Sequence, residues 1–136
     1  MSDLTRPVRP IHRNINIGQI VAYRLPAAGL ISILHRISGF MMFVLLPFVL
    51  YLLDKSLTSE ISFDTFKSVT SNWFVKLVLL ALIWAYLHHF IAGIRHLFMD
   101  MHLFLEKDSS RTSALVVFAI SLVLWAAFAL KTFGAF

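Results

Sequence analysis

Three stretches of this chain run without a charge for long enough to cross hydrocarbon, and nothing else limits its fold as strongly. They are the 17 residues Ile37–Leu53, the run between Lys76 and Arg95, and the run between Arg111 and Lys131. A bilayer core of about 30 Å takes roughly 20 mostly apolar residues in a helix. The expectation is an all-α membrane protein with three transmembrane helices, over about 28–53, 73–99 and 112–133, forming one membrane unit across 28–136. The first span reaches full length only if Ser32, His35 and Arg36 belong to its opening turns. Pro47 inside it should bend the helix rather than end it.

Composition agrees. In 136 residues, 59% are hydrophobic and 14% charged, and the mean hydropathy is +0.81, which fits one membrane domain. A net charge of +5 would suggest nucleic acid in a soluble protein; here it is read as basic loops that set orientation, with no nucleic-acid partner. Arg6, Arg9, Arg13 and Arg24 precede the first span, and Arg95, Lys107 and Arg111 surround the second link. The first loop has Lys55 and Lys67, and the far end only Lys131. The positive-inside rule therefore places the N-terminus and the second link in the cytoplasm. The absence of cysteine excludes disulfides, thiolate-held iron–sulfur clusters and covalent haem attachment.

Residues 1–27 read as a cytoplasmic arm with no secretory signal, kept from regular helix by Pro7, Pro10 and Pro26 and suited to docking on a soluble partner. Asp54–Asn72 reads as a polar loop with a short interfacial helix at Ser62–Phe66. The third span has few polar groups beyond Ser113 and Ser121, and is expected to pack and hold.

The chemistry lies in the histidines. Six occur in the chain, and His89 sits inside the second span, where an ionisable side chain is costly and points to function. At about 100° per residue, Ser32, His35, Arg36 and Gly39 share one stripe, and His89, Gly93, His96 and Asp100 another. The deduced topology brings both to the cytoplasmic end, with His89 about 9 Å deeper than Arg95 at about 1.5 Å rise per residue. Imidazole in a membrane helix is either an interhelical hydrogen-bonding group or a metal ligand. A b-type haem fits the combination: His89 binds iron, Gly93 lets a flat macrocycle approach, and Arg36, Arg95, His35 and His96 meet its propionates. His35 and His96 lie too near the surface to face His89 across a ring, so the second axial ligand should come from another subunit. The neighbouring His88 leaves the ligand ambiguous by one residue, and spacing to Gly93 favours His89.

Arg6-Pro7, the segment Ser32-Ile33-Leu34-His35-Arg36-Ile37-Ser38-Gly39, and His89-x-x-x-Gly93-Ile94-Arg95-His96-x-x-x-Asp100 together resemble the cytochrome b556 membrane-anchor subunits of succinate dehydrogenase. The arm departs from many members in having Arg9-Pro10-Ile11-His12 after Arg6-Pro7. The resemblance implies a component of succinate:ubiquinone oxidoreductase with no catalytic residue of its own, in a bacterial inner membrane. It implies haem b with His89 as axial ligand and with His35, Arg36 and His96 around it. Ser32 and Arg36 would line the ubiquinone pocket. The implied partners are a second membrane-anchor subunit supplying the other haem ligand, an iron–sulfur subunit and a flavoprotein subunit. The competing readings are a quinol:fumarate reductase anchor, or a haem-free scaffold relaying protons through His89 and Asp100.

Overall fold

The structure is a computed structural model, and it describes residue 14 and residues 16–134. Arg6, Pro7 and His12 lie outside the described residues. Five helices follow in order: α1 (Ile17–Ala22), α2 (Ala27–Leu57), α3 (Glu60–Ser71), α4 (Trp73–Asp100) and α5 (Lys107–Thr132). Among the described residues there is no strand. Three helices, α2, α4 and α5, are long and apolar enough to cross a membrane, and the protein is a multi-pass membrane protein.

Local chemistry sets the boundaries. Pro26, extended at φ −66° and ψ 155°, precedes the first residue of α2, as expected where a ring removes a donor that the helix start does not need. Helix α2 continues unbroken through Pro47 for 31 residues. At about 1.5 Å per residue it outreaches a bilayer core of about 30 Å, so Ser32, His35 and Arg36 do lie within its opening turns. Asn72 caps α4, its side chain accepting from the amides of Phe74 at 2.9 Å and Val75 at 3.4 Å. In α5, Asp108 in the first turn and Lys131 in the last complement the helix dipole.

Two expectations about the connections need correction. The polar loop is mostly helix: α2 runs on to Leu57, and α3 has 12 residues rather than five or so. A reciprocal cap nucleates α3, with Ser59 Oγ accepting from the Ser62 amide at 3.2 Å and Ser62 Oγ from the Ser59 amide at 3.0 Å. The arm also contains regular helix. Asn16 and Gln19 form a capping box that opens α1, and Ile17, Ile20 and Val21 on it are exposed.

Helix α4 is the spine, with α2 on one side and α5 on the other. Of its most apolar stretch 28% is buried, against 11% for α2 and 17% for α5. Ile31, Ala92, Ala114 and Val117 form the core where the three meet, and the two alanines let the backbones approach closely. Trp125 Nε1 donates to the Leu80 carbonyl at 2.9 Å, tying α5 to α4. Outward faces stay apolar: Phe40, Phe43, Tyr86 and Phe90 are all exposed, as suits surfaces meeting lipid or another membrane chain.

Candidate functional site

The two polar stripes do meet, where α2 crosses α4. His35 and His89 lie ring on ring, centroids 4.0 Å apart and planes 13° from parallel. His96 also lies against His35, at 4.9 Å and tilted by 54°. The three imidazoles thus form one cluster with His35 in contact with both others. They do not form a metal cage, since among the described residues no three His, Cys, Asp or Glu side chains are placed to hold an ion together.

Hydrogen bonding decides the tautomer of His89. Its Nδ1 lies 2.9 Å from the His35 carbonyl. A carbonyl only accepts, so Nδ1 carries the proton and donates. Ser38, fully buried, donates its own hydroxyl proton to the same carbonyl at 2.9 Å, and its oxygen is a second acceptor for Nδ1–H at 3.3 Å. With Nδ1 donating, Nε2 is the nitrogen left to bind a metal, as imidazole does through one ring nitrogen while the other is hydrogen-bonded. Gly39 makes room for the ring.

His88 points the other way. It is fully enclosed, stacked on Trp84 with centroids 5.2 Å apart, and its Nδ1 meets Ser121 Oγ at 3.4 Å. Ser121 gives its proton to the Phe118 carbonyl at 3.0 Å, so its oxygen accepts from His88. That leaves His88 Nε2 buried without a partner among the described residues. No flat cofactor reaches a nitrogen sealed inside three helices.

Arg95 is not part of the cluster, contrary to expectation. It is only 3% exposed and turns to α5. Its Nε donates to Ser113 Oγ at 2.9 Å, and its Nη2 donates to the Ser110 hydroxyl at 3.1 Å and the Ser110 carbonyl at 3.3 Å. The physical reason is helical phase: Arg95 shares the His88–Ala92 face of α4, about 100° away from His96. Ser113→Val is expected to cost ~1–3 kcal/mol by leaving a buried guanidinium short of an acceptor. Thermal unfolding of the detergent-solubilised protein measures this.

Gly93 is also reassigned. A Cβ there would meet His35 Nε2 at 3.5 Å, an ordinary contact, so Gly93 gives His35 space rather than leaving an open bay for a macrocycle. Gly93→Ala should be tolerated. Gly93→Leu should push His35 off His89 and destabilise by ~1–3 kcal/mol, as overpacking does, again read by thermal unfolding. Depth is likewise not what separates His35 from His89, since the two lie side by side. Parallel contact at 4.0 Å bars His35 from facing His89 across a ring, because it leaves no room for a macrocycle between them.

Ser32, half-buried, and Arg36, exposed, stand one turn apart in the opening turns of α2. The profile of the family described as succinate dehydrogenase/fumarate reductase transmembrane subunit matches residues 5–128, nearly the whole chain. The chain belongs to this family. It is 35% identical over 112 residues to the succinate dehydrogenase cytochrome b556 subunit of Coxiella burnetii, covering 82% of this chain and 89% of that protein. To the cytochrome b556 subunit of Paracoccus denitrificans it is 32% identical over 124 residues, 91% of this chain and 92% of that one. The cytochrome b560 subunit of Porphyra purpurea is 30% identical over 132 residues, 90% of this chain and 96% of its own.

For this succinate dehydrogenase/fumarate reductase transmembrane subunit, sequence reasoning overlooks one contributor. Ser38 follows His35 by three residues and Gly39 by four, so one turn of α2 presents a carbonyl, a hydroxyl and a gap to the same ring. A Ser-Gly pair one turn after a membrane histidine is the signal that could have found it.

Proposed function

We propose that this chain is the haem-carrying membrane anchor of a succinate:ubiquinone oxidoreductase in a bacterial inner membrane, with its N-terminus in the cytoplasm. The observation that carries the reading is His89: an imidazole inside the span α4 whose Nδ1–H is committed to the His35 carbonyl at 2.9 Å, leaving Nε2 for a metal. The residues fit haem b. His89 would ligate the iron, and His35, Arg36 and His96 would hold the propionates at the membrane boundary. An apolar groove of about 420 Å³, lined by Met42, Leu46, Leu82, Ile83, Tyr86 and Leu87 among others, opens within a turn of Gly39 and His89 and gives an apolar body cover. When bound, the haem supplies a one-electron store.

Ser32 and Arg36 serve a ubiquinone near the cytoplasmic surface. A carbonyl that gains electrons and protons needs a hydroxyl and a guanidinium as donors, and both lie near water. A second membrane-anchor subunit would supply the haem's other ligand, since His35 is stacked on His89 and not free to serve. Electrons arrive from an iron–sulfur subunit fed by a flavoprotein subunit, where succinate is oxidised. Running in reverse, as a quinol:fumarate reductase, would use the same anchor residues.

Affinity purification through a tag on this chain tests the reading. The expected eluate holds a flavoprotein, an iron–sulfur protein and a second membrane chain, shows reduced b-type absorption, and reduces ubiquinone with succinate. A colourless complex from which no porphyrin is extracted would refute it.

A further inference from the structure

We propose that Ser38 and Gly39 of α2 form a seat that fixes the ring position and tautomer of His89, acting as positioning residues for the iron ligand; this rests on the haem reading above. The steric half comes from Gly39. A Cβ at that position would fall 2.8 Å from His89 Cε1, closer than packed atoms tolerate, and 3.2 Å from Nδ1, a tight contact. The obstacle is a stiff aromatic ring, not the end of a flexible chain. The same ring is stacked on His35 at 4.0 Å. To make room for a Cβ it would have to shift within that stack, and Nε2 would move with it.

The chain's other described helical glycines are a built-in comparison. A Cβ on Gly29 would meet Pro26 at 3.6 Å, one on Gly93 would meet His35 at 3.5 Å, and one on Gly18 would meet nothing within 4 Å. Only Gly39 among them is required by contact with a histidine ring.

The polar half comes from Ser38, which is fully buried. With the His35 carbonyl it provides two acceptors for one proton on Nδ1, at 3.3 Å and 2.9 Å. Because the His35 carbonyl can only accept, the proton stays on Nδ1 and the lone pair on Nε2, while Ser38, whose own proton goes to the same carbonyl, adds its oxygen as a second acceptor. Partners of this kind, one bond removed from the metal, typically alter affinity by about 10–100-fold.

The test uses the assembled membrane complex with Gly39→Ala, Ser38→Ala, Gly29→Ala as control, and His89→Ala. Readouts are the haem-to-flavin ratio, electron paramagnetic resonance of the ferric haem, and its midpoint potential. Gly29→Ala should match the wild type. Gly39→Ala should keep its flavin and subunits but bind haem at least about tenfold more weakly, with shifted resonances. Ser38→Ala should keep its haem. It removes one of the two acceptors that hold Nδ1–H, so the ring donates less to the iron and the ferric form loses. A fivefold loss raises the midpoint by about 40 mV for one electron at 59 mV per tenfold change.

If His89→Ala is colourless while Gly39→Ala equals Gly29→Ala in haem content and resonances, the seat is overturned and the ligand assignment stands. Haem retained in His89→Ala overturns the ligand assignment itself. Should Gly39→Ala fail to assemble, the Ser38→Ala midpoint decides alone, and an unchanged or lowered value overturns the seat.

Discussion

Membranes carrying His89→Ala should lose their dithionite-reduced b-type absorption down to background, while His88→Leu should leave it intact. The two residues are adjacent in sequence yet occupy different faces of α4. His89 has a committed Nδ1–H and a free Nε2 on the α2 side. Removing an axial ligand must weaken haem binding beyond the ~100-fold that outer partners can cost. His88, fully enclosed, makes one long contact to Ser121 at 3.4 Å and leaves Nε2 unpartnered among the described residues. Replacing it by Leu removes the unpartnered nitrogen and loses one long bond, while Ser121 still donates to the Phe118 carbonyl, so His88→Leu should also leave the unfolding temperature near wild type. Colour lost in His88→Leu and kept in His89→Ala would move the ligand by one residue and put the tautomer argument on the wrong ring.

Arg36→Leu should cut succinate-driven ubiquinone reduction by about a hundredfold, the usual scale for deleting one donor aimed at developing negative charge. Electron transfer from succinate to a soluble dye should stay near wild type, because that reaction ends in the extrinsic subunits. Arg36 is exposed, so its loss leaves no buried charge and little folding penalty. Parallel loss of both activities would point instead to a complex that does not assemble, and the role assigned to Arg36 would fall.

The sequence discloses the number of helices and the pairing of the two polar stripes, because charge-free length and the spread of Lys and Arg are one-dimensional signals. It discloses less where the answer depends on helical phase. Depth alone groups Arg95 with His96, although positions 88, 92 and 95 form a separate face, and the structure turns that face to Ser110 and Ser113. The two glycines Gly39 and Gly93 look equivalent in their stripes. Only the register between α2 and α4 reveals that a Cβ would collide with a ring at 2.8 Å in one case and touch at 3.5 Å in the other. The box formed by Asn16 and Gln19 is legible as a helix start, but the nearby prolines favour an extended chain.

The contact between His89 and the His35 carbonyl joins residues 54 positions apart, one on each of two successive spans. A ribosome-bound chain that has released only its first span therefore owns neither the stacked pair nor a histidine with its proton pinned. Under the function proposed above, haem loading waits until the hairpin of α2 and α4 has closed in the lipid, which would make cofactor capture a late checkpoint of biogenesis rather than a seed for it.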